Sequence, residues 1–329
     1  MQRCDDEAIK LYGANNVNGL FLNENLQGVY KVGNQLVYQA PQRAYNAPLA
    51  DCVYQLHNAL EIAAILYNQK YGIHMVVHEG ERSTNCIPRL LEKTLKTDTP
   101  KGLIWKTRYL KHVVPFVLMR EKKPDGTFRL WVTSLDSTEN TPGGCLWLLS
   151  HGWERNFSAL LGQAEFLRAG FNEVCLVKMG VGNRQADPYS CRTDAVVMLK
   201  DALRHPHARE LFGKAPEVFA ADPQFAQWQA AAQPQSHLKL YRRPLPAALA
   251  KNVQTGSAFF RHNGILQESP VMQRAGLGPQ TLAQHQKKYL NPNTQRSDRL
   301  KVKALRLALA AARYTEALQA ASPSTSGTR

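Results

Sequence analysis

Apolar residues first recur at helical spacing after Pro48, where a polar opening stretch rich in Asn and Gln ends. Residues 1–47 carry only short apolar pieces, so we predict a loosely structured lead-in there. The pattern then predicts a helix from 48 to about 71, a strand over 73–78, and a second helix over 87–95 that a turn at 99–102 ends. Helices and strands are thus expected to alternate from the start of the folded core.

The apolar period changes to that of a hairpin between residues 112 and 134. His112–Met119 and Phe128–Ser134 are both rich in valine, leucine and aromatic residues, which is typical of strands. Between them, Glu121–Gly126 contains the turn-forming run Lys-Pro-Asp-Gly. Pro115 argues for an edge or bulge position, because proline lacks the backbone donor of a strand ladder. The two runs therefore predict an antiparallel pair.

A further helix and strand follow the hairpin. Residues 158–169 predict a helix, and Glu173–Met179 predicts a strand that leads into a polar loop. From Cys191 onward, apolar residues again recur at helical spacing. Helices and strands mixed in this order predict an α+β domain with a central sheet.

The chain after His205 is less regular. Residues 221–236 are rich in Ala, Gln and Pro and predict a surface excursion, a loop region follows at 261–280, and the last helix is expected from about 298 to 320. We therefore divide the chain into a lead-in at 1–47, a folded core at 48–260, a C-terminal helical segment at 261–320 and a disordered tail at 321–329.

The chain is strongly basic, with 41 Lys and Arg against 26 Asp and Glu and a formal net charge of +15. Such a charge favours polyanionic partners, among them nucleic acid, anionic lipid and inositol phosphates. A nucleic-acid-binding motif, such as a helix-turn-helix or aromatic residues interleaved with basic ones, is not evident. The other interpretation is that these side chains form solvated helix faces.

Two kinds of segment are absent from the sequence. No apolar run approaches the ~20 residues needed to span a bilayer, and acidic residues replace the positive and apolar regions of a Sec signal near the N-terminus.

The six cysteines, at positions 4, 52, 86, 145, 175 and 191, show no CxxC or Cys/His ligand spacing. We expect reduced thiols in a cytosolic setting, with neither a zinc site nor a disulfide framework.

Cys191 is a candidate nucleophile. The turn-forming residues before it place it at or just before a helix N-terminus, where the helix dipole favours the thiolate over the thiol. The alternative is a small apolar residue packed at a helix start. Cys175 lies within an apolar strand, and we interpret it as a core residue.

A base and an acid for this cysteine occur on the predicted hairpin. His112 opens its first strand and Asp136 follows its second, so antiparallel pairing brings both to one end of the ribbon. Gln185, six residues before Cys191, is a candidate donor to a developing oxyanion. Taken singly, His112 is also compatible with a strand histidine whose hydrogen bonds are satisfied within the core. Gln185 is also compatible with a solvated loop residue. The rivals are His74, His78 and His151 as bases and Glu79 and Glu139 as acids.

The residues that carry this chemistry follow one another in a recognisable order. They are the His112 strand with the strand that ends before Asp136, the pair Gln185 and Cys191, and an L-P-x4-K-x2-Q element formed by Leu245, Pro246, Lys251 and Gln254. This set resembles the Clan CE cysteine enzymes and, within them, the YopJ-like effector acetyltransferases that bacterial secretion systems deliver. The resemblance spans about 110–255. It implies a Clan CE cysteine protease-like α+β fold, in which helices flank a central mixed sheet and a helical regulatory region follows the catalytic core.

The resemblance implies a cysteine-dependent acetyltransferase. In such an enzyme acetyl-CoA passes its acetyl group to Cys191, with His112, Asp136 and Gln185 assisting, and a Ser, Thr or Lys of a host protein receives it. Inositol hexakisphosphate would act as an activator, and no metal is implied. The expected basic groove for these polyphosphates consists of Lys251, Gln254, Lys287, Lys288 and Arg299, with Arg296 as a further candidate.

Three positions depart from the family pattern. Asp136 stands where the family often has glutamate, Arg192 follows the cysteine, and Asn252 follows Lys251 in place of the usual histidine. An aspartate serves in the related deubiquitinating and SUMO-processing enzymes, so a ubiquitin or ubiquitin-like protease is an alternative. A second alternative is a catalytically degenerate effector that only binds a host protein. The resemblance also implies type III secretion into a host cell without a Sec signal, and a cytoplasmic location inside the bacterium.

Overall fold

The computed structural model describes the chain over residues 29–32, 35–38, 60–80, 97–107, 113–137, 167–180, 184–185, 190–213, 238–255, 257–271, 280–291, 295–297, 299–300, 303–304, 307 and 310. Several expectations lie outside these residues. They are the helix at 87–95, most of the helix at 158–169, the excursion at 221–236, much of the helix at 298–320 and the tail at 321–329.

In the described part of the chain, five strands lie between residue 71 and residue 191. The first half contains β1 (Val29–Val32), β2 (Gln35–Tyr38), α1 (Leu60–Tyr71), β3 (Met75–Gly80), β4 (Lys101–Thr107), β5 (Val113–Lys122), β6 (Phe128–Ser134) and β7 (Phe171–Met179). The second half contains α2 (Cys191–Leu203), α3 (Ala208–Gly213), β8 (Leu238–Arg243), a 3-10 helix (Ala247–Asn252), α4 (Ser257–His262), β9 (Pro270–Val271), β10 (Gln280–Thr281), α5 (Leu282–Lys287), β11 (Leu290–Asn291) and β12 (Arg296–Ser297).

A six-stranded mixed sheet in the order β3-β4-β5-β6-β7-β8 forms the centre of the fold. The pairs β4–β5 and β5–β6 are antiparallel, whereas β3–β4, β6–β7 and β7–β8 are parallel. Parallel neighbours are typical of sheets covered on both faces. The expected α+β class with a central mixed sheet is confirmed.

The predicted hairpin is present as β5 and β6. Its turn closes through the Lys123 amide, which donates to the Thr127 carbonyl at 2.8 Å, and Gly126 adopts a φ of +84° that favours glycine. Pro115 lies in an inner strand opposite Ile104, not at an edge or bulge, so that expectation is wrong. Its carbonyl still accepts from the Leu135 amide at 2.9 Å, which extends the β5–β6 pairing to the residue before Asp136.

Helix α2 lies in the interior of the fold. Residues 191–202 are all buried, and the helix packs on β4 and β5, on α1 and on the 3-10 helix. Its apolar residues belong to the main hydrophobic core, as expected for a helix that packs an apolar face on a sheet. The same helix also buries five polar or charged side chains, namely Arg192, Thr193, Asp194, Lys200 and Asp201. Buried charges require partners, and these partners define the sites described below.

Other differences from the expectations concern short elements. The lead-in at 1–47 contains the antiparallel pair β1–β2, whose alternating apolar residues flank Gly33-Asn34 in sequence. The turn expected at 99–102 instead leads into β4, and β8 was not predicted. The loop region at 261–280 contains the end of α4 and β9. In the part of the chain that the structure describes, no helix combines the length and apolarity needed to cross a membrane.

Gly102 marks the close approach of β4 to α2. A Cβ atom there would lie 2.9 Å from the Cβ of Met75 and 3.1 to 3.2 Å from methyl groups of Leu203 and Leu199. We expect Gly102→Ala to lower the free energy of unfolding by about 1–3 kcal/mol, because the added methyl overpacks this contact. Urea unfolding measures the change, with Lys101→Ala in the same strand as the control. An unchanged urea midpoint for Gly102→Ala would contradict this expectation, because α2 would then accommodate the added methyl group without a loss of stability.

Candidate active site

Cys191 is the first residue of α2 and is 3% exposed. Ser190 precedes it, and its hydroxyl lies 3.4 Å from the side-chain amide of Gln254 without capping the helix. The thiol therefore lies at the positive end of the helix dipole. This placement agrees with the sequence-based expectation of a helix start. The buried position fits either a nucleophile or a packed core residue, so the neighbours of the thiol decide between the two.

A buried arginine connects the acid-bearing segment to this helix. Arg184 is 1% exposed, and its guanidinium forms an ion pair with Asp194, in the first turn of α2. The same guanidinium donates to the carbonyl of Leu135 at 2.8 Å and to that of Asp136 at 3.3 Å. Arginine can make these contacts together because its planar head presents five donors in a fixed arrangement. Sequence analysis did not identify Arg184 or Asp194 as site residues.

Backbone hydrogen bonds join the same segments. The amides of Arg184 and Gln185 donate to the carbonyl of Ser137 at 2.9 and 3.4 Å, and the amide of Gln254 donates to the carbonyl of Arg184 at 2.9 Å. Residues 184–185 are thereby held between the end of the predicted hairpin and the segment after the 3-10 helix. The structure thus brings together the segments of Asp136, Gln185, Cys191 and Gln254.

Gln185 has the environment expected of a side chain that receives a ligand. It is 6% exposed, and among the residues that the structure describes neither its amide nitrogen nor its carbonyl oxygen has a hydrogen-bond partner. Leaving a buried amide unpaired costs on the order of 1–3 kcal/mol. A developing oxyanion beside Cys191 would accept from the amide nitrogen. Its role remains a prediction, and the structure adds the observation that Gln185 is not a solvated loop residue.

His112 lies outside the described residues, as do His151, Glu139 and the side chains of His78 and Glu79. The strand that follows it, β5, begins at Val113, at the end of the sheet where β6 finishes. Asp136 is half-buried just past β6. His74, the remaining rival base, is exposed next to β3. The assignment of His112 as the base therefore stays a prediction.

A cluster of buried charges lies toward the other end of α2. Asp201 is 1% exposed and pairs with the ammonium groups of Lys200 and Lys251, the latter at 3.3 Å. Arg299, 5% exposed, donates through Nε to the Asn252 side chain at 2.8 Å. We call the cluster the anion pocket; it comprises Lys200, Asp201, Lys251, Asn252, His285, Arg299 and Lys303.

Cations outnumber carboxylates in the anion pocket. Burial, together with the neighbouring cations, lowers the pKa of Lys251 to about 8 and that of His285 to about 3. Burial also lowers the pKa of Lys200, and it lowers that of Lys303 well below the ordinary value. Burial alone would raise the pKa of Asp201, but Lys200 and Lys251 hold it below its usual range. A pocket of this composition is suited to a polyanion.

Two donors of the pocket are also unpaired. Nε2 of His285 and Nδ2 of Asn252 are buried and have no hydrogen-bond partner in the described part of the chain. Nδ1 of His285 lies 3.2 Å from the Gln280 side chain, which leaves Nε2 as the second nitrogen of the ring. An anion bound among these groups could accept from both donors.

The predicted basic groove is thus only partly the same as the anion pocket. Lys251 and Arg299 lie inside it, and Lys288 is exposed but close enough for its charge to act on His285. Lys287 and Arg296 are exposed, and Gln254 lies against Ser190 at the start of α2. Lys200, Asp201, His285 and Lys303 were not predicted. Charged residues inside the apolar repeat of α2 were the signal that could have indicated the first two.

Comparison with solved structures identifies similar folds. A crystal structure of HopZ1a, a YopJ-family effector, in complex with IP6 matches 84% of this chain and 95% of that chain, with a TM-score of 0.53 at 12% identity. The chain shares the fold of HopZ1a. A second HopZ1a structure, in complex with IP6 and CoA, matches 84% of this chain and 88% of that chain, with a TM-score of 0.51 at 11% identity. No protein-family model and no curated protein matches the chain. The expected Clan CE-like fold is confirmed.

The lowered pKa of Lys251 has a consequence for stability. Between about pH 8 and 10.5 the unfolded chain holds a proton on this lysine that the folded chain has released, so the free energy of unfolding should rise with pH in this range. We expect a gain of about 1–3 kcal/mol for the protein without ligand. Urea unfolding at several pH values measures it, and Lys251→Met should flatten the rise while Lys122→Met in the exposed hairpin should not. Equal slopes for all three proteins would contradict the burial of a cation at this position.

Proposed function

We propose that the protein is a cysteine-dependent acetyltransferase that moves an acetyl group from acetyl-CoA to a Ser, Thr or Lys of a host protein. One observation carries the proposal: Arg184 connects the Asp136 segment to the buried helix that begins at Cys191, and its sequence neighbour Gln185 has a buried side-chain amide without a partner among the described residues. The fold shared with HopZ1a, whose structures contain IP6 and CoA, supports it. We further propose that the protein acts as an effector, delivered into a host cell by a bacterial type III secretion system.

The proposed reaction has two steps. His112, oriented by Asp136, takes the proton of Cys191, and the thiolate attacks the thioester carbonyl of acetyl-CoA. The side-chain amide of Gln185 and a backbone amide near Cys191 stabilise the oxyanion, the C–S bond to coenzyme A then breaks, and the leaving thiolate takes the proton held by His112. In the second step the hydroxyl or amine of the target protein attacks the acetyl-cysteine carbonyl while His112 takes its proton, and the bond between the acetyl carbon and Sγ of Cys191 breaks to restore the free cysteine. Acetylated protein and free coenzyme A are the products.

Labelled acetyl-CoA tests this proposal. The purified protein, incubated with IP6, should acquire label on itself, and Cys191→Ala should abolish the labelling because no acyl-cysteine can form. Cys175→Ala is the matched control, since that thiol is buried in β7 and burial raises its pKa far above the ordinary value. Equal labelling of wild type and Cys191→Ala would contradict the assignment of Cys191 as the nucleophile.

We propose that the anion pocket binds inositol hexakisphosphate as an activator. The unpaired donors of His285 and Asn252, and the excess of buried cations around Asp201, support a ligand with several phosphate groups. The phosphates would pair with Lys200, Lys251, Arg299 and Lys303. Such a ligand would relieve the mutual repulsion of these cations and so stabilise the folded state around the C-terminal half of α2.

Lys303→Met separates ligand binding from folding. The pKa of this buried lysine is held well below its ordinary value, so its removal should leave the ligand-free protein equally stable or more stable. The rise in melting temperature with added IP6 should nevertheless shrink by at least half, because one phosphate partner is lost. Lys122→Met, on the exposed hairpin, serves as the control. An undiminished shift in Lys303→Met would exclude this pocket as the ligand site.

A protease of the same fold is the second candidate. Asp136 favours it, because the related deubiquitinating and SUMO-processing enzymes use an aspartate as the acid of the triad. In that case water, not a protein side chain, would resolve the acyl-cysteine. Release of a fluorophore from a ubiquitin conjugate, together with absent acetyl labelling, would select the protease.

A further inference from the structure

We propose that Arg184 is a positioning residue for the nucleophilic cysteine: it holds the segment of Asp136 against the helix that begins at Cys191. The inference rests on the proposed function in that it assigns these two residues as acid and nucleophile. It concerns a residue that belongs to neither the proposed triad nor the anion pocket.

Residues 184–185 supply donors to three successive carbonyl groups. The guanidinium of Arg184 donates to those of Leu135 and Asp136, and the amides of Arg184 and Gln185 donate to that of Ser137. The regular β5–β6 register ends at Ser134, and beyond it the Leu135 amide donates to the Pro115 carbonyl of β5. The backbone carbonyls beyond β6 are therefore held by the segment that carries Arg184 and not by the β5–β6 ladder.

The same guanidinium also contacts α2. Its Nε and Nη2 atoms contact the carboxylate of Asp194, three residues after Cys191, and this carboxylate is 0% exposed. One rigid planar group thus joins the segment of the acid to the first turn of the helix that carries the thiol. Lysine could keep the ion pair, but a single ammonium cannot present the same planar set of donors.

Stability alone does not account for this arrangement. A buried ion pair is often no more stable than apolar residues of the same volume, because both charges lose their hydration. What the pair adds is a defined geometry. If the Asp136 segment moved away from α2, the imidazole that Asp136 orients would no longer point at the thiol. The thiolate fraction of Cys191 at neutral pH would then fall.

The test measures the reactivity of Cys191 directly. Iodoacetamide alkylation of the full-length protein is followed against pH by mass spectrometry of the Cys191 peptide, in wild type, Arg184→Lys and Arg184→Met. We expect the midpoint of the pH profile to move up toward the ordinary thiol value of about 8.5, and the rate at pH 7 to fall by about tenfold or more. A purely structural defect would act in the opposite direction, since loosening the fold exposes a thiol that is 3% exposed and speeds alkylation.

Arg129 provides the matched control. It makes a two-pronged ion pair with Glu173 at the opposite end of β6, through Nε at 2.8 Å and Nη2 at 3.2 Å. Arg129→Lys and Arg129→Met should lower the melting temperature without moving the alkylation profile of Cys191. A profile in Arg184→Lys that matches wild type, or that moves no more than in Arg129→Lys, would overturn the proposal. So would a wild-type profile of an ordinary thiol.

Acetyl transfer provides an independent readout. If wild type labels itself, Arg184→Lys should lower kcat while leaving KM for acetyl-CoA unchanged, because the variant alters proton transfer and not the binding of the nucleotide. If wild type does not label itself, the proposed acetyltransferase activity fails, but the alkylation profile still decides whether Arg184 controls Cys191. The failures of the two proposals are therefore distinguishable.

Discussion

A guanidinium that is 1% exposed can remain charged in a protein interior only if every side of it meets an acceptor. Arg184 meets this requirement with one carboxylate and two carbonyl oxygens that belong to separate parts of the chain. The segment after β6, the residues before α2 and the first turn of α2 must therefore adopt one mutual arrangement. The candidate chemistry depends on this constraint, because the Asp136 segment, Gln185 and the helix that begins at Cys191 all adjoin Arg184.

Helix α2 connects two sites of different character. Its first turn carries the thiol, and its last turns carry Lys200 and Asp201 in the anion pocket. Ten residues of helix separate Cys191 from Asp201, or roughly 15 Å along the axis. The helix is buried along almost its whole length, so a ligand that orders its C-terminal half acts on the same rigid element that positions the nucleophile. The proposed activator and the proposed reaction thereby share one structural support.

Local patterns predicted the elements but not all of their surroundings. The β5–β6 hairpin, β7 and the start of α2 follow from apolar periodicity and turn residues that lie close together in sequence. Strand β8 pairs with β7 at the edge of the sheet and has the sequence Leu-Lys-Leu-Tyr-Arg-Arg. It was not predicted, because its basic residues interrupt the alternation of apolar and polar positions that is typical of a strand. Only two of the seven residues of the anion pocket, Lys251 and Arg299, were predicted, because its members converge from distant parts of the chain. Arg184 gave no signal at all, since a loop arginine is ordinarily solvated.

The mixed order of the sheet also bears on how the protein folds. Strands β5 and β6 meet across the short turn at 123–127, so their pairing closes only a small loop. Strands β7 and β8 join in parallel through long connections, and such pairing is slow because it closes large loops. The donors of residues 184–185 follow β7 in the chain. A nascent molecule that has formed only the antiparallel strands therefore contains the acid segment without its supports, and the candidate active site is assembled late in folding.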